Sequence, residues 1–482
     1  MVNSNHYPVR ELSPKALSYF MLIVGLIAIV VSVISQNLLI AASIICFPII
    51  LIILIWGSQT PRFGYLLYAT YSFYFIAIMR YSRKEGLSVI LDILLVYMLI
   101  SILFAVIQKK SNIRLSNAIN ILTISYIPWM LFILIQFANP GIQTEGITLG
   151  LRSWIFANLA LYVTSSLLTD NPKVLKRGLI IFGIITTTAF IKLLFQKYWW
   201  FDTAESEWLM QGCWRTHILN TGIRYFSIFT DAGNFGAYMG IVTITYSIIG
   251  LHTHKKWLSF FYLGVAFMGL ISLLMSGTRG AIIVPLGGLI LYCLICKNIK
   301  VMLISMLTGL LLFSFFAFTD IGNGNSLIRR MRTAFQPTED ATYNVRVENK
   351  QFIAEYLESY PWGVGLNQRV PKIWERGDEV IDGTVPPDSY YVSIWMQTGI
   401  IGLSLYLIIY AIVLLRCCYI VMFRIRNREL AHTLSALLCG VFGIWLNGYV
   451  GEGMGMPPTN FVIVASLAFV LNGPYIDKQI TQ

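Results

Sequence analysis

The feature that most constrains the fold of this chain is a succession of apolar runs that continues from about residue 16 to residue 473. A helix needs roughly 20 apolar residues to cross a bilayer. Only 12% of the residues are charged, whereas soluble domains carry about 25%. This composition excludes a water-soluble enzyme, a disordered protein and a nucleic-acid-binding module. We therefore predict an all-α polytopic membrane protein.

The apolar runs predict about twelve to fourteen transmembrane helices. They lie near residues 16–36, 37–56, 63–80, 87–107, 117–137, 152–168, 177–196, 232–251, 257–276, 280–296, 299–318, 389–415, 432–450 and 459–473. The polar residues 1–15 are followed by an apolar run without a small-residue cleavage site, which predicts a retained helix and not a signal peptide.

The basic residues predict the orientation of these helices. The formal net charge is +12, and most of the basic loops occur at every second connection. By the positive-inside rule, these loops and both termini are predicted to lie in the cytoplasm. The basic segment 80–84 breaks the alternation. Either it is an external basic loop, or one of the first helices does not cross the membrane.

Two of the opposite, predicted external connections are long. One spans residues 198–231, and the other spans residues 319–388. Connections longer than about 15 residues are usually functional or disordered. The second is predicted to be folded, because apolar residues recur at helical spacing through 344–360. The connections divide the chain into regions 1–197, 198–318, 319–388 and 389–482.

Two arginines lie where the positive-inside rule gives no reason for them. Arg279 sits between two apolar runs in the glycine-flanked segment 275–280, and Arg224 precedes another run in segment 222–236. Each is either an ordinary interface residue or part of a site. Because a guanidinium binds phosphate in a bidentate manner, the two together predict a clamp for a pyrophosphate.

Several polar residues occur where external connections lead into helices. Asp231 and Asn234 are predicted to cap the next helix or to lie in its first turn. Asp388 follows Pro386 and Pro387 at the end of the long connection. Two roles are open for Asp388: it caps the following helix, or it contacts an acceptor sugar and accepts a proton.

The external segments are also rich in tryptophan and tyrosine. These aromatic residues either form an interfacial belt or stack on sugar rings. They are Tyr198, Trp199, Trp200, Trp208, Trp214, Trp374, Tyr390 and Tyr391.

Cysteine and histidine give no metal signal. The seven cysteines mostly lie within or beside apolar runs, and no Cys/His spacing resembles a zinc site. We therefore expect no disulfide framework, no metal site and no cofactor.

Six motifs in this order resemble the O-antigen ligase/polymerase family of membrane glycosyltransferases. They are Phe229-Thr-Asp-Ala-Gly-Asn-Phe-Gly236, Ser276-Gly-Thr-Arg-Gly-Ala281, Asn344-Val-Arg346, Tyr360-Pro-Trp-Gly-Val-Gly-Leu-Asn367, Asp388-Ser-Tyr-Tyr391 and Gln397-Thr-Gly-Ile-Ile-Gly402. The resemblance covers about residues 220–410 and depends on order, spacing and topology, since no single motif is specific.

The resemblance implies a GT-C-like fold in the bacterial cytoplasmic (inner) membrane, with a large folded extracytoplasmic loop over the active site. It implies an undecaprenyl-pyrophosphate-linked glycan as donor and a metal-independent, inverting transfer. Arg224 and Arg279 would bind the pyrophosphate, and Asp388 would act on the acceptor. The further substrate-binding candidates are Arg346, Asn234, Tyr390, Tyr391 and His217.

The chain departs from the ligases of this family at one point. Those ligases carry a His-Asn pair, with the histidine as the proposed base, where this chain has Asp388 and Ser389. His217 is the fallback candidate for that base. The departure slightly favours a polysaccharide polymerase over a ligase that transfers finished glycan to lipid A core. A flippase for the same lipid-linked glycan is the alternative from another class.

The expected partners follow from these hypotheses. They are the lipid-linked donor, an acceptor glycan or glycolipid, membrane lipid and, for a polymerase, a chain-length regulator. No nucleic acid is expected.

Overall fold

The fold is known from a computed structural model of the 482-residue chain. The structure describes residues 61–84, 86–108, 113–219, 222–297, 299–324, 326–332, 335, 341–376 and 379–481. The first two predicted transmembrane helices, 16–36 and 37–56, lie outside the described residues.

The described residues form a helical bundle with two small hairpins. The main helices are α1 Pro61–Ser82, α2 Val89–Ile107, α3 Ile121–Gln136, α4 Thr144–Leu168, α5 Pro172–Tyr198, α6 Ala232–His252, α7 Lys256–Met275, α8 Ile283–Ile295, α9 Ile299–Phe318, α10 Ala341–Leu357, α11 Tyr390–Phe423, α12 Arg428–Asn447, α13 Thr459–Leu471 and α14 Gly473–Thr481. Short helical segments are Leu115–Ala118, Thr203–Trp208, Leu209–Cys213, Trp214–His217, Arg279–Ile282, Ser326–Arg332 and Gly453–Gly455. The antiparallel hairpins pair β1 Ile218–Leu219 with β2 Gly222–Ile223, and β3 Pro371–Arg376 with β4 Glu379–Thr384.

Seven helices in the described ranges are long and apolar enough to cross a membrane, and α13 with α14 makes an eighth if this pair, bent by 55°, is one span. Three more apolar helices are shorter, namely Ile121–Gln136, Arg279–Ile295 and Met302–Phe318. The prediction of an all-α polytopic membrane protein is therefore confirmed. The total of twelve to fourteen helices stays a prediction.

The long connections meet at one end of the bundle, which we call the loop end. The Arg224 guanidinium donates to the Thr278 hydroxyl at 2.9 Å, which joins the connection before α6 to the one after α7. The backbone N–H of Tyr390 donates to the Gly448 carbonyl at 2.9 Å, which adds the connection after α12. Segments far apart in sequence are thereby brought to one surface.

The basic segment at residues 80–84 lies at this same end. Arg83 forms an ion pair with Glu207 at 2.6 Å, and Arg80 donates to the carbonyls of Ser227 and Phe229. The opposite end carries other contacts, such as the ion pair between Arg62 and Asp170. The basic segment that breaks the charge alternation therefore lies at the same end as the predicted external connections.

The core of the bundle is built around α6 and α12, which are the most buried of the candidate spans. Both helices carry small residues where they approach α8. A Cβ at Gly240 would lie 2.8 Å from Val284 Cβ, and a Cβ at Gly443 would overlap the Val284 carbonyl. In a bilayer, close backbone approach through small residues replaces the hydrophobic driving force between helices. This tight packing holds the loop-end connections that adjoin each helix.

The 319–388 connection is folded and docked into the bundle, as the sequence predicts. α11 is interrupted at Gly399, which has φ +68°, and the turn at Trp362 and Gly363 fills the break. The Val364 N–H donates to the Met396 carbonyl at 2.8 Å. A Cβ at Gly399 would overlap the Pro361 carbonyl, so glycine is required there.

Candidate active site

Arg224 leaves the β1–β2 hairpin and points its guanidinium at the turn between α7 and α8. Its backbone N–H donates to the His217 carbonyl at 2.8 Å. One terminal nitrogen donates to the Thr216 carbonyl at 3.0 Å, and the other to the Thr278 hydroxyl at 2.9 Å. Nε is buried and has no hydrogen-bond partner within the described ranges. An unsatisfied buried donor is costly, so this group is suited to an anionic ligand.

The turn between α7 and α8 gathers further arginines around Gly277, which has φ +58°. Nε of Arg330 donates to the Gly277 carbonyl at 2.7 Å. A Cβ at Gly277 would lie 3.1 Å from Arg224 Cγ and 3.3 Å from Arg330 Nε. Arg279 follows two residues later and begins the short helix Arg279–Ile282. The left-handed φ favours glycine at this turn, and a Cβ there would press on both arginine side chains.

Arg346 reaches the same region from helix α10. Its guanidinium donates to the Val450 carbonyl at 3.1 Å, and one turn further Lys350 donates to the Tyr449 hydroxyl at 3.0 Å. The two contacts dock α10 against the connection between α12 and α13. The sequence assigned Arg346 to substrate binding, and its half of the long connection does lie at the loop end.

The arginines influence each other electrostatically. Burial lowers the pKa of Arg224; Asp231 opposes this shift, whereas the positive charges of Arg346 and Arg279 add to it. We call Arg224, Arg279, Arg330 and Arg346 the arginine cluster. Like charges repel more strongly where water is partly excluded, and an anion bound among them would relieve that repulsion.

Asp388 does not cap α11, so that part of the sequence prediction is wrong. The cap is Ser389, whose hydroxyl accepts from the Val392 N–H at 3.4 Å and donates to the Gly448 carbonyl at 3.0 Å. Asp388 has φ +53°, a left-handed conformation that aspartate tolerates better than most residues. This turn shifts the helix start by one residue and directs the carboxylate elsewhere, where it accepts from Asn349 Nδ2 at 3.2 Å.

A second carboxylate, Glu452, lies beside Asp388. It belongs to the connection between α12 and α13, and it lies close enough to Asp388 for the negative charge of Asp388 to raise its pKa. The residue is exposed to solvent, but nearby protein atoms partly desolvate its carboxylate. Desolvation by burial raises the pKa of Glu452; Arg369 lowers it, and Asp388 and Asp231 raise it. An accessible carboxylate with a raised pKa is a candidate proton acceptor.

The carboxylates and the arginine cluster lie on segments that contact each other. The side chain of Asn447 donates to the Gly280 carbonyl at 2.9 Å, and a Cβ at Gly280 would lie 2.8 Å from Val450 Cγ2. The turn that carries Arg279 therefore packs against the connection that carries Glu452. The arginines and the carboxylates thus occupy adjacent positions.

His217 is buried, and both nitrogens of its ring form hydrogen bonds within the protein. It is 3% exposed, and its Nε2 accepts the Ala232 N–H at 3.2 Å. That contact requires an unprotonated Nε2, so Nδ1 carries the proton and donates to the Cys213 carbonyl at 2.9 Å. Both ring nitrogens are therefore occupied, which speaks against the fallback hypothesis that His217 is the base and against a direct substrate contact.

We expect His217 to make stability depend on pH. Burial lowers the pKa of His217 below its usual value, so on acidification through about pH 6.5 the unfolded chain takes up the proton first and stability falls. The thermal midpoint of the purified protein in detergent should drop between about pH 7.5 and about pH 5.5. His217→Gln removes the titrating group while keeping an acceptor, so its drop should be smaller. An equal drop in both proteins would contradict this role.

Asp231 caps α6 as predicted. Its Oδ1 accepts the Asn234 N–H at 2.9 Å, and its Oδ2 accepts from Asn234 Nδ2 at 2.7 Å. The Asn234 side chain also lies against Gly453, where a Cβ would overlap its Oδ1. These contacts position α6 against the connection that carries Glu452, which is a supporting role.

Tyr390 and Tyr391 begin α11 and are only partly accessible. The Tyr391 hydroxyl donates to the Trp445 carbonyl at 2.7 Å. The Tyr390 hydroxyl accepts from Tyr406 at 3.3 Å, and its ring packs against Gly455. Their hydroxyls are thus used within the bundle, and their proposed stacking on sugars stays a prediction.

The structure adds Arg330 and Glu452 to the residues found from sequence. A signal for Glu452 exists, since it is an acidic residue between Gly451 and Gly453 on a predicted external connection. Arg330 shares its short helix with Arg329 and Arg332, so no local pattern distinguishes the one that reaches Gly277.

Comparison with known proteins supports the motif-based resemblance. The Wzy_C family model, described as O-antigen ligase, matches residues 263–407, which is less than one third of the chain. The matched part includes Arg279, Arg330, Arg346 and Asp388, whereas Arg224 and Glu452 lie outside it. A search of curated proteins finds no match to the chain. The chain is therefore a polytopic membrane protein whose residues 263–407 match the O-antigen ligase family model.

Proposed function

We propose that this protein transfers a glycan from an undecaprenyl-pyrophosphate donor to an acceptor sugar at the outer face of the bacterial cytoplasmic membrane. The family match supports a glycan transferase of the O-antigen ligase/polymerase type. The donor, the acceptor and the membrane face are our proposals.

The arginine cluster is the observation that carries the proposal. Arg224 and Arg330 both lie within van der Waals distance of a Cβ built at Gly277, and Arg279 and Arg346 are close enough to Arg224 to lower its pKa. A pyrophosphate presents several acceptor oxygens, and guanidinium groups match that geometry in a bidentate manner. The cluster lies at one end of the bundle, the level at which a lipid-linked pyrophosphate emerges from the bilayer.

The proposed reaction is a single displacement. The acceptor hydroxyl oxygen attacks the anomeric carbon of the donor glycan, and the bond from that carbon to the pyrophosphate oxygen breaks. The bonding pair leaves with the pyrophosphate, whose increasing negative charge the arginines stabilise. Donors placed where charge develops are worth about 10²–10³ in rate each.

The proton of the acceptor hydroxyl goes to the carboxylate pair. Asp388 and Glu452 lie close enough for the charge of Asp388 to raise the pKa of Glu452, next to the arginine-bearing turn. The raised pKa of Glu452 brings it closer to the range in which a carboxylate acts as a general base. This pair takes the place of the histidine that ligases of the family use.

Of the two transferase hypotheses, polymerase and ligase, we favour the polymerase, which joins lipid-linked repeat units. Both ring nitrogens of His217 are occupied, which favours a carboxylate over His217 as the base and supports the departure from the ligase pattern.

Reconstitution tests the proposal. The purified protein in proteoliposomes is supplied with an undecaprenyl-pyrophosphate-linked repeat unit from a strain that makes it. A polymerase yields longer lipid-linked glycan and releases undecaprenyl pyrophosphate. A ligase yields product only when lipid A core is added. Movement of the substrate across the bilayer without a new glycosidic bond would overturn the proposal in favour of a flippase.

The loop end is expected to face the outside of the cell. In a cysteine-free background, Met210→Cys and Ile373→Cys place thiols at exposed loop-end positions, whereas Lys255→Cys places one at the opposite end. A membrane-impermeant maleimide should label the first two in intact spheroplasts. The third should react only after permeabilisation. The reverse pattern would refute the proposed orientation.

A further inference from the structure

A separate cationic groove lies at the loop end, between the end of α1 and the connection before α6. It is open to solvent and has a volume of about 350 Å³. Its polar lining includes Arg80, Arg83, Lys84, Gln211 and Thr230, and one wall is Trp208. This is the basic segment at residues 80–84 that the charge alternation did not explain, and the arginine cluster does not include it.

The groove borders residues typical of the membrane interface. Trp199 directly follows α5, which is a candidate membrane span, and the groove lies at the end of the neighbouring helix α1, which has 22 residues. Arg83 follows directly after this helix. Nearby aromatic side chains are strongly exposed, with Tyr81 at 50% and Trp199 at 72%, as is typical of the membrane interface. A phosphate carried by a lipid lies at this level.

The charge of the groove favours an anion. Among the described lining residues, three are cationic and Glu207 alone carries a carboxylate. Glu207 pairs with Arg83 at 2.6 Å, but both side chains are exposed, at 45% and 64%. Exposed ion pairs contribute little, so an anionic ligand can replace this one at small cost.

An aromatic wall separates the groove from the arginine cluster. The ring of Trp208 lies 4.8 Å from that of Phe226 and 5.1 Å from that of His217. The backbone carbonyl of His217 in turn accepts from Arg224. The groove and the arginine cluster are therefore separate groups of cations, because none of the four arginines of the cluster lines the groove.

The groove also connects to the carboxylates. Thr230 lines it, and the Thr230 hydroxyl donates to Asp231 Oδ2 at 3.0 Å. Asp231 caps α6 through Asn234, whose side chain lies against Gly453. These contacts join the groove to Gly453, the neighbour of Glu452 in the sequence.

We propose that this groove binds the pyrophosphate of a second lipid-linked molecule, the acceptor, while the arginine cluster holds the donor. The proposal depends on the proposed transferase function and deepens it. A polymerase must hold two lipid-linked glycans at once, and their headgroup phosphates need separate sites. The acceptor glycan then extends from the groove towards the carboxylates.

Equilibrium binding of radiolabelled undecaprenyl pyrophosphate tests the proposal. The full-length protein is placed in nanodiscs of phosphatidylcholine, and the bound lipid per chain is counted. We expect two molecules per wild-type chain. Arg83→Glu with Lys84→Glu should leave one, because replacing cations by anions weakens that site by more than about tenfold. Lys197→Glu, which reverses a charge at the same end outside the groove, should still bind two.

The other possible results of this binding experiment distinguish between the competing explanations. One molecule bound by both wild type and the double variant would overturn the second site and leave the donor site intact. No binding to wild type would overturn the proposed function itself. Loss of the second molecule on adding excess phosphatidylglycerol would overturn the acceptor role and identify a phospholipid headgroup site. Thermal unfolding of the double variant must match wild type, which is expected because Arg83 and Lys84 are exposed.

In the reconstituted reaction, the same double variant should raise KM for the acceptor at least about tenfold. The release of undecaprenyl pyrophosphate at saturating acceptor should change little. A fall in the saturated rate with unchanged KM would contradict a role in acceptor binding.

Discussion

Arg224→Lys and Arg279→Lys are each expected to lower the rate of glycan transfer by about 10²–10³, the usual effect of losing one preorganised donor to a developing oxyanion. Lysine keeps the charge but loses the planar, bidentate geometry that matches a pyrophosphate. Arg224→Lys should also lose one of the two contacts to Thr216 and Thr278. The measurement is release of undecaprenyl pyrophosphate in proteoliposomes at saturating donor.

Arg215→Lys is the matched control. Arg215 is exposed and lies in the same segment as Arg224, with its guanidinium 5.8 Å from the ring centre of Trp214. Its transfer rate should stay near that of wild type. Thermal unfolding separates lost catalysis from lost folding, because each lysine variant should unfold within a few degrees of wild type. Wild-type activity in either variant would remove that arginine from the proposed site.

Glu452→Gln and Asp388→Asn are expected to lower kcat by about 10²–10⁴, the usual contribution of a general base. Each substitution replaces a carboxylate by an amide of nearly the same shape, and the new asparagine keeps an oxygen that accepts from Asn349. Folding and donor binding should therefore persist in both variants. If the two carboxylates act as a unit, the double variant should be little worse than the more impaired single variant. Wild-type turnover in both single variants would show that the transfer needs neither carboxylate.

The pH profile supplies a second readout. The base must be ionised, so kcat/KM falls as the pH drops through its pKa. Burial raises the pKa of Glu452, so this acidic limb should lie above the ordinary glutamate value of about 4.3. In the Glu452→Gln variant, the pH at which kcat/KM falls on the acidic side should differ from that of wild type.

Ser389→Ala is the control for helix capping. It removes the cap of α11, at a cost of about 0.5–2 kcal/mol, and it leaves both carboxylates in place. It should therefore lower stability with little change in kcat.

Much of the architecture follows from the sequence because it depends on local properties. Apolar runs of the length of a bilayer and the basic residues between them predict a polytopic helical bundle before any contact is known. Asp231 has both the residue type and the position of a helix cap, and it caps α6. Helical spacing within the long connection likewise predicts α10.

Local sequence patterns do not predict a residue's role where an unusual backbone conformation or a long-range contact decides it. Asp388 has a residue type suited to a cap, but its left-handed φ of +53° moves the helix start to Ser389. His217 looks like a free histidine on an external segment. Its burial against the start of α6, which occupies both ring nitrogens, is a long-range contact that sequence position does not reveal.

The sequence by itself determined the membrane class, the order of the motifs and the two arginines at Arg224 and Arg279, because charge is costly at the membrane and therefore conspicuous there. Only the tertiary structure decided which distant residues join them. Arg330 reaches Gly277 across 53 residues, and Glu452 meets Asp388 from another connection. A transmembrane bundle returns the chain to the same face at every second helix, so a site there is assembled from segments far apart in sequence, and helix packing selects its members.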